Sequence, residues 1–479
     1  MDPGHHGARN LSAQSTNLWE RGGVLCLVDL VRSTEAIMSA ATVYGNRLPE
    51  AVLCGTIGEL QRIFVWHGAE TKVFTGDGLL FFFPAQPRSE RVGVHLTAAL
   101  TEAVGCLDRH NLPAGQPLGL RAAVHAGTIS EVTSTLVANQ VLGYDALYVR
   151  DYCEAVEDYG LTRAAGATVA VSRRTLDDYR LWSDQRPVPR RKPFRYAPIT
   201  DPFFLMTLPK MGGSASRTDK STVTPSAGAP EVWKRRHGLL MFLEIVPAMC
   251  SPALPNFQCY VQALGALFRL VGAMGGRVVN CMGDAVLAHL PVPCSLEATL
   301  SDVFRTLSMQ EGMPLREFFE TCWRGDWDVG LRCGAAYGSF YEPLAGWLAG
   351  QAVGLSVVLA HRTLLAGEKV CGFGKEPTFR PQGAPCFVAF PRIAVKRAKQ
   401  LFDRTDRIRL VRMTRLLESW ALRGRALRDE DPLPGRFTRP VEEKDIPKDV
   451  KSVGPEGFGF KKLYIWRPVQ VEHVSGHIA

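Results

Sequence analysis

Residues 75–83, TGDGLLFFF, follow an earlier segment VLCLVDLVRST at residues 24–34, and each carries an aspartate beside an apolar run: Asp77 and Asp29. Short apolar runs bounded by turn signals are typical of buried β-strands. The glycines on both sides of Asp77 predict a hairpin turn. The two segments therefore predict strands that bring two carboxylates together at one edge of a sheet.

The same order of segments occurs twice in the chain. LLMFLEIV repeats the first strand with Glu244 in place of Asp29, and GGRVVNCMGDAVLAHLP repeats the hairpin with Asp284 in place of Asp77. LGLRAAVHAGTISEV and LGYDALYVRDYCEAVEDYG have counterparts in VGLRCGAAYGSFYEP and AGQAVGLSVVLAHRTLLAG. Matched glycines and aspartates lie 207 to 211 residues apart, which indicates a duplicated domain.

Length and composition set the domain organisation. A chain of 479 residues suits two domains of about 200 residues each. The Ser/Thr/Gly/Pro-rich stretch GGSASRTDKSTVTPSAGAP is typical of a linker. Alternating strands and helices with central hairpins predict an α+β fold. The predicted parts are a mobile N-terminus (1–20), a first domain (21–210), a linker (211–233), a second domain (234–392), a basic helix (393–428) and a C-terminal tail (429–479).

Charge and cysteine content restrict the setting. The net charge of +9 favours anionic partners, unless the excess is concentrated in one C-terminal stretch. Twelve cysteines without a C-x-x-C pair fit reduced thiols in a cytosol. No N-terminal signal peptide and no apolar run near 20 residues is found, so a cytoplasmic protein without a membrane span is expected.

The basic helix has two interpretations. Residues 393–425 alternate apolar positions with many Arg and Lys, which predicts one long helix. Its basic face would bind nucleic acid, an acidic protein or a membrane surface. The simpler interpretation is a helix that docks on the second domain and leaves its charges in solvent.

The acids near the two strand ends suggest a metal site. Two carboxylates, Asp29 and Asp77, suit Mg²⁺ or Mn²⁺ held together with nucleotide phosphates. The residues after the first strand, Arg32, Ser33 and Thr34, predict a strand-to-helix turn whose backbone N–H groups cradle phosphate. The alternative is that GDG is a plain hairpin turn and Asp29 a helix cap.

Taken together, VDLVRST, TGDGLLFFF and LRAAVHAG resemble the class III adenylate/guanylate cyclase catalytic domain. The resemblance covers about residues 22–179 and, more weakly, residues 237–390. It implies two ferredoxin-like, palm-type domains, each a mostly antiparallel sheet flanked by helices. They would form a pseudo-twofold intramolecular dimer followed by a C-terminal helical extension.

In that family one partner supplies two metal-binding aspartates. The other supplies the base-reading residues and, in addition, an Asn and an Arg that bind the ribose and the transition state. The resemblance assigns Asp29 and Asp77 to two Mg²⁺ or Mn²⁺ ions, and Asn280 and Gln351 to the nucleobase. These amides are neither the Lys/Asp pair typical of adenylate cyclases nor the Glu/Cys pair typical of guanylate cyclases. The base therefore stays open, pyrimidines included.

The resemblance also has departures. The family's Asn position falls on Gly354 and its Arg position on Val358. Arg362, beside His361, lies one helical turn further and would substitute for the lost Arg. The alternative is that both are ordinary helix residues, and loss of the Arg predicts weak catalysis.

The mirror-related site departs further, because Glu244 replaces its first aspartate. The first domain would face it with residues that lack the family's polar pattern: Val73, Tyr144, Leu147 and Asp151. A slip of one residue in the register would instead bring Lys72 and Arg150 there. One functional and one degenerate site are expected.

The expected function is a tandem cyclase that converts a nucleoside triphosphate to a 3′,5′-cyclic nucleotide and pyrophosphate. By analogy of setting, its role would be signalling, including antiphage signalling in bacteria. Three alternatives stay open: a nucleotide sensor without turnover, an interaction protein acting through the basic helix, and a metal-dependent transferase that makes oligonucleotides.

Overall fold

The computed structural model of the chain describes residues 17–31, 33, 47–74, 78–85, 89–107, 119–133, 140–142, 144–158, 166–179, 187–188, 203–209, 233–246, 257–282, 285–292, 295–324, 329–343, 352–371, 386–423, 435–437, 440–442 and 460–468. We call residues 17–209 the first half and residues 233–468 the second half.

The described part of the first half is one sheet with helices packed on it. Its strands are β1 (Asn17–Val31), β2 (Glu70–Phe74), β3 (Gly78–Pro84), β4 (Gly119–Thr133), β5 (Gln140–Leu142), β6 (Gly166–Ser172), β7 (Pro187–Val188) and β8 (Phe203–Pro209). Its helices are α1 (Arg47–Trp66), α2 (Ser89–Leu107), α3 (Tyr144–Asp158) and α4 (Arg173–Tyr179).

The second half repeats this plan with additions. Its strands are β9 (Trp233–Val246), β10 (Arg277–Met282), β11 (Ala285–Leu290), β12 (Gly330–Pro343), β13 (Cys386–Ile393), β14 (Gly435–Phe437), β15 (Val441–Glu442) and β16 (Phe460–Pro468). Its helices are α5 (Phe257–Ala273), α6 (Leu296–Thr306), α7 (Pro314–Trp323), α8 (Leu355–Cys371), α9 (Val395–Leu401) and α10 (Arg404–Arg423).

The two sheets have the same strand order. The first runs β2-β3-β1-β4-β6-β8-β7 and the second β10-β11-β9-β12-β13-β16-β14. Within each sheet one central pair is parallel, β4 with β6 and β12 with β13, and the other described pairs are antiparallel. The predicted α+β class with mostly antiparallel, duplicated sheets is confirmed.

The sheet of the second half extends past residue 392, where the sequence placed the end of the second domain. Strand β16 occupies the place that β8 has in the first sheet, although it lies in the stretch assigned to the C-terminal tail. Leu463 and Trp466 of this strand are both 0% exposed, and since they point to opposite faces, both faces of the strand are covered. Helices α9 and α10 are therefore an insertion before the last central strand of this half.

The basic region is two helices, and the prediction of one continuous helix was wrong. The chain extends at Phe402, which is 4% exposed and has φ −121° and ψ 142°. The Asp403 carboxylate then accepts a hydrogen bond of 2.8 Å from the backbone N–H of Asp406. Burial of one aromatic ring and a side-chain cap at the start of α10 together set the break.

The docking interpretation of α10 is confirmed by its contacts. The helix packs on β12, and it buries Leu410, Met413 and Leu417. The buried Asp406 accepts hydrogen bonds from Ser339 and from His237 at 3.0 Å. The resemblance-based expectation that the halves pair is also met, since β10 lies against β2, its counterpart in the first sheet. None of the described helices is long and apolar enough to cross a bilayer.

Candidate functional site between the halves

Asp29 is the last residue of β1 that pairs with β3. It is opposite Gly78 on β3 and opposite Arg121 on β4. Arg121 donates to the Oδ2 atom of Asp29 through Nε at 2.6 Å and also through a terminal nitrogen. Among the described residues, Oδ1 of Asp29 receives no contact. We call Asp29 with Arg121 the first acidic position.

Glu244 holds the equivalent place in the second sheet. It lies opposite Ala285 on β11 and opposite Arg332 on β12. Arg332 donates a hydrogen bond of 3.0 Å to Oε2 of Glu244 through Nε, and its Nη2 atom forms an ion pair with the same oxygen at 2.6 Å. Both side chains are 0% exposed, whereas the Asp29 side chain is 10% exposed. We call Glu244 with Arg332 the second acidic position.

The second acidic position carries a further cation from the other half. Arg150, on α3 of the first half, places Nη1 4.0 Å from Oε1 of Glu244. His361, on α8, lies in the same cluster with its ring centroid 4.8 Å from that of Phe242. Burial, and then the positive charges of Arg150 and Arg362, lower the pKa of His361 to about 3, so its ring is neutral at neutral pH.

The sequence did not single out Arg121 and Arg332. The signal was nonetheless present, because LRAAVHAG and LRCGAAYG begin with the same Leu-Arg pair. Nothing in a linear sequence states that each Arg lies directly across from an acid on the first strand of its half. The strand register brings together residues 92 and 88 positions apart.

Asn280 lies on β10, just after an irregularity in its pairing with β11. Its Oδ1 atom accepts a hydrogen bond of 2.7 Å from the backbone N–H of Ala352, and its Nδ2 atom donates to the Ala352 carbonyl at 3.4 Å. Gln351 is next in sequence to Ala352 but lies outside the described residues. The structure thus joins Asn280 to the segment that carries the second predicted base-reading residue.

Gly354, just before α8, and Val358, in its first turn, are the two positions that the resemblance assigns to an Asn and an Arg. Gly354 has φ 141°, a backbone conformation that favours glycine. Val358 is 9% exposed and packs in the apolar core. Arg362 is half-buried on the same helix, beside His361. The structure therefore offers no polar side chain at Gly354 or Val358.

Lys72 lies at a shift in register between β2 and β3. The pairing of β10 with β11 in the second half has a similar shift. Its ammonium group donates to Glu70 at 2.6 Å and lies 5.6 Å from the Phe82 ring centroid. The hydrogen bond from Arg21 is the largest cause that lowers the pKa of Glu70 to about 2. Burial opposes this shift, and the hydrogen bond and charge of Lys72 lower the pKa further. Lys72 is thus engaged within the first half.

Four predicted site residues lie outside the described residues: Arg32, Thr34, Asp77 and Gln351. Ser33 is described, has helical backbone conformation and is buried. Among the described residues, no group of three or more His, Cys, Asp or Glu side chains is placed to hold a metal ion. The fit to Mg²⁺ or Mn²⁺ depends on Asp29, because a carboxylate oxygen such as its Oδ1 atom, which has no contact among the described residues, suits a hard cation.

Comparison with solved structures identifies the fold. The chain is similar to a class III adenylyl cyclase-like ATP-binding protein from Pseudomonas aeruginosa, with a TM-score of 0.51 and 15% sequence identity over 81% of this chain and 88% of that chain. It also matches the adenylyl cyclase CyaB from P. aeruginosa (TM-score 0.32, 11% identity, 40% of this chain and 96% of that chain). A third match is the guanylyl cyclase Cya2 (TM-score 0.30, 19% identity, 41% and 96%).

No protein-family model and no curated protein matches the sequence of this chain. The first match spans both halves and nearly the whole of its counterpart, so the expected class III cyclase-like fold is confirmed.

Proposed function

We propose that this chain, which has the class III cyclase-like fold in tandem, binds a nucleoside triphosphate between its halves at the first acidic position and cyclises it. The proposal is supported above all by the asymmetry of the two acidic positions. Asp29 keeps one carboxylate oxygen without a contact among the described residues, while Glu244 is fully buried between two arginines. Only the first position is suited to a further cation and a ligand.

The protein's own residues would act as follows. Asp29 and Asp77 would hold two Mg²⁺ or Mn²⁺ ions, and Arg121 would hold the Asp29 carboxylate in position through its contacts with Oδ2. When bound, these ions supply positive charge for the triphosphate and activate the ribose hydroxyl. Backbone N–H groups around Ser33, between Arg32 and Thr34, would bind phosphate oxygens.

The base would lie toward the second half. We assign Gln351 and Asn280 to this side, because Asn280 forms hydrogen bonds with Ala352, the residue that follows Gln351 in the sequence. Arg362 would offset charge on the departing pyrophosphate. In the reaction the ribose 3′-oxygen forms a bond to the α-phosphorus, and the bond between the α-phosphorus and the oxygen that bridges it to the β-phosphate breaks. Pyrophosphate leaves, and the proton of the 3′-hydroxyl passes to solvent.

Nucleotide binding without turnover is the second candidate, and a specific observation favours it. Gly354 and Val358 leave the start of α8 without the Asn and Arg that the family uses for ribose and transition state. Loss of one such donor typically costs about 10²–10³-fold in kcat. A sensor of this kind would change conformation with nucleotide bound.

The test is incubation of the full chain with ATP, GTP, CTP and UTP separately, with Mn²⁺ or Mg²⁺, and identification of products by mass. A cyclic mononucleotide is expected with one base, and Asp77→Ala should abolish it. Asp177→Ala is the matched control, since Asp177 is an exposed acid on α4 that pairs with Arg173, and it should change nothing. Oligonucleotide products would support the transferase alternative.

Calorimetry on the same samples separates the two candidates. Nucleotide binding that requires metal and Asp77, with no product, supports the sensor. Product formation that survives in Asp77→Ala, or the absence of both product and binding, contradicts the proposed site.

Interaction through the basic C-terminal region stays a separate proposal, because α10 leaves Arg404, Arg412 and Arg415 exposed while its other side docks. We propose that this surface binds an acidic protein or nucleic acid.

The triple variant Arg404→Ser/Arg412→Ser/Arg415→Ser is expected to elute from heparin at clearly lower salt than the unchanged chain. Arg173→Ser/Arg174→Ser on α4 is the control, since both arginines pair with acids of their own helix. Equal elution of the two variants would leave α10 a docking helix only.

A further inference from the structure

Asn280 uses both polar atoms of its side chain on the main chain of one residue. Its Oδ1 atom accepts from the N–H of Ala352 at 2.7 Å, and its Nδ2 atom donates to the C=O of Ala352 at 3.4 Å. Asn280 is 6% exposed and Ala352 is 0% exposed. Turning the amide over would place donor against donor and acceptor against acceptor, so its orientation is fixed. The side chain therefore pairs with Ala352 as a neighbouring strand would.

The next residue is held from the other side by β12. Val353 and Tyr341 form an antiparallel bridge, in which each backbone N–H donates to the other residue's carbonyl, at 2.9 Å and 2.7 Å. Gly354 then turns the chain with φ 141°, and α8 begins at Leu355. The entry to α8 is thus held by the main chain of β12 and by one side chain of β10.

The first half holds the matching segment in another way. Its β5 pairs with β4 over three residues, and α3 begins two residues after Leu142. Val73 follows the shift in register between β2 and β3, as Asn280 follows the shift between β10 and β11, and it is 2% exposed. A valine side chain has no donor or acceptor. Two amide hydrogen bonds in the second half thus stand where the first half has a longer strand pairing.

The pairing with Ala352 bears on how a nucleobase could be selected. A site that hydrogen-bonds its ligand discriminates because the wrong ligand leaves the polar groups of the site unpaired. Both polar atoms of Asn280 already have a partner in the protein without a base. A mismatched base would therefore leave neither atom unpaired, and the side chain would impose little penalty on it.

We propose that Asn280 is a positioning residue, which clamps Ala352 and so sets the entry to α8, and that it does not select the base. This replaces the base-reading role that the resemblance assigns to the position. The statement about the base rests on the proposed function, whereas the clamp rests only on the contacts between Asn280 and Ala352.

Hydrogen exchange on the full chain tests the clamp without any nucleotide. Asn280→Val, which introduces the residue that the first half has at this point, leaves the buried N–H of Ala352 without its acceptor. Amide exchange at Ala352 should rise about tenfold or more, because a buried hydrogen bond is lost and the segment opens more often. Asn280→Asp keeps an acceptor for this N–H and should raise the exchange less.

The control for the exchange experiment is Thr414→Val, which removes a buried hydrogen bond of 2.9 Å within α10. It should leave exchange at Ala352 unchanged. If Asn280→Val does not fold, Asn280→Ala removes the same two bonds without a branched side chain and takes its place. Exchange at Ala352 that is as slow in these variants as in the unchanged chain would overturn the clamp.

Titration calorimetry with ATP, GTP, CTP and UTP tests the statement about the base. Asn280→Val should weaken binding of every nucleotide that the unchanged chain binds by about threefold or more, and the ratio of any two affinities should stay within about twofold. A larger change in that ratio would show that Asn280 reads the base. Unchanged affinity for every nucleotide would contradict the positioning role. Absence of nucleotide binding in the unchanged chain would instead refute the proposed function, and hydrogen exchange would still decide the clamp.

Discussion

Replacing Arg332 with methionine is expected to lower the free energy of unfolding by about 3–5 kcal/mol, the cost of leaving a buried ion pair without one partner. Arg332 is 0% exposed and contacts both Glu244 and Glu368. Its removal leaves Glu244, itself 0% exposed, with Arg150 at 4.0 Å. Methionine fills a similar volume, so the loss comes from charge and not from a cavity.

Urea unfolding followed by circular dichroism measures this loss. The control is Arg316→Met, which removes a half-exposed arginine from α7 and should cost less than about 1 kcal/mol. Adding Glu244→Gln to Arg332→Met should recover part of the loss, because a neutral amide then replaces the buried carboxylate that Arg332 had contacted. A cost for Arg332→Met as small as the control's would show that the buried ion pair is not required.

Replacing Gly334 with alanine is expected to lower the free energy of unfolding by about 3 kcal/mol, the upper part of the range for overpacking. Gly334 lies on β12 where α8 crosses it. A Cβ atom there would lie closer than 3.0 Å to the backbone of Leu364 and Ala360. Backbone atoms of a packed helix cannot rotate away as a side chain can, so α8 must move from the sheet.

The matched control for Gly334→Ala is Gly58→Ala in the interior of α1. Apart from the adjoining residues and the backbone of α1 itself, no atom lies within 4 Å of a Cβ at Gly58, so alanine should raise stability by about 0.5–1 kcal/mol through helix propensity. The urea midpoints of the two variants should therefore move in opposite directions. Stabilisation by Gly334→Ala would mean that α8 does not approach β12 this closely.

Displacement of α8 has a functional consequence as well. This helix carries Arg362, and its start adjoins the Asn280–Ala352 hydrogen bonds. If the proposed nucleotide site is correct, Gly334→Ala should weaken nucleotide binding more than its loss of stability explains. Gly58→Ala should leave binding unchanged.

The sequence alone determined the features that depend on local pattern. Short apolar runs and glycine-bounded turns gave the strands, and the repeated order of segments gave two matching sheets. The acids Asp29 and Glu244 were located at the same point of each half from this repeat. These features are predictable because strand and helix periodicity is a property of neighbouring residues.

Only the tertiary structure decided which charges meet. Arg121 faces Asp29 and Arg332 faces Glu244 because of strand register, and Arg150 reaches Glu244 because the halves pair. The break at Phe402 and the entry of β16 into the second sheet likewise depend on packing between distant segments. Register, burial and contact between halves are set by residues far apart in the chain, so no local pattern contains them.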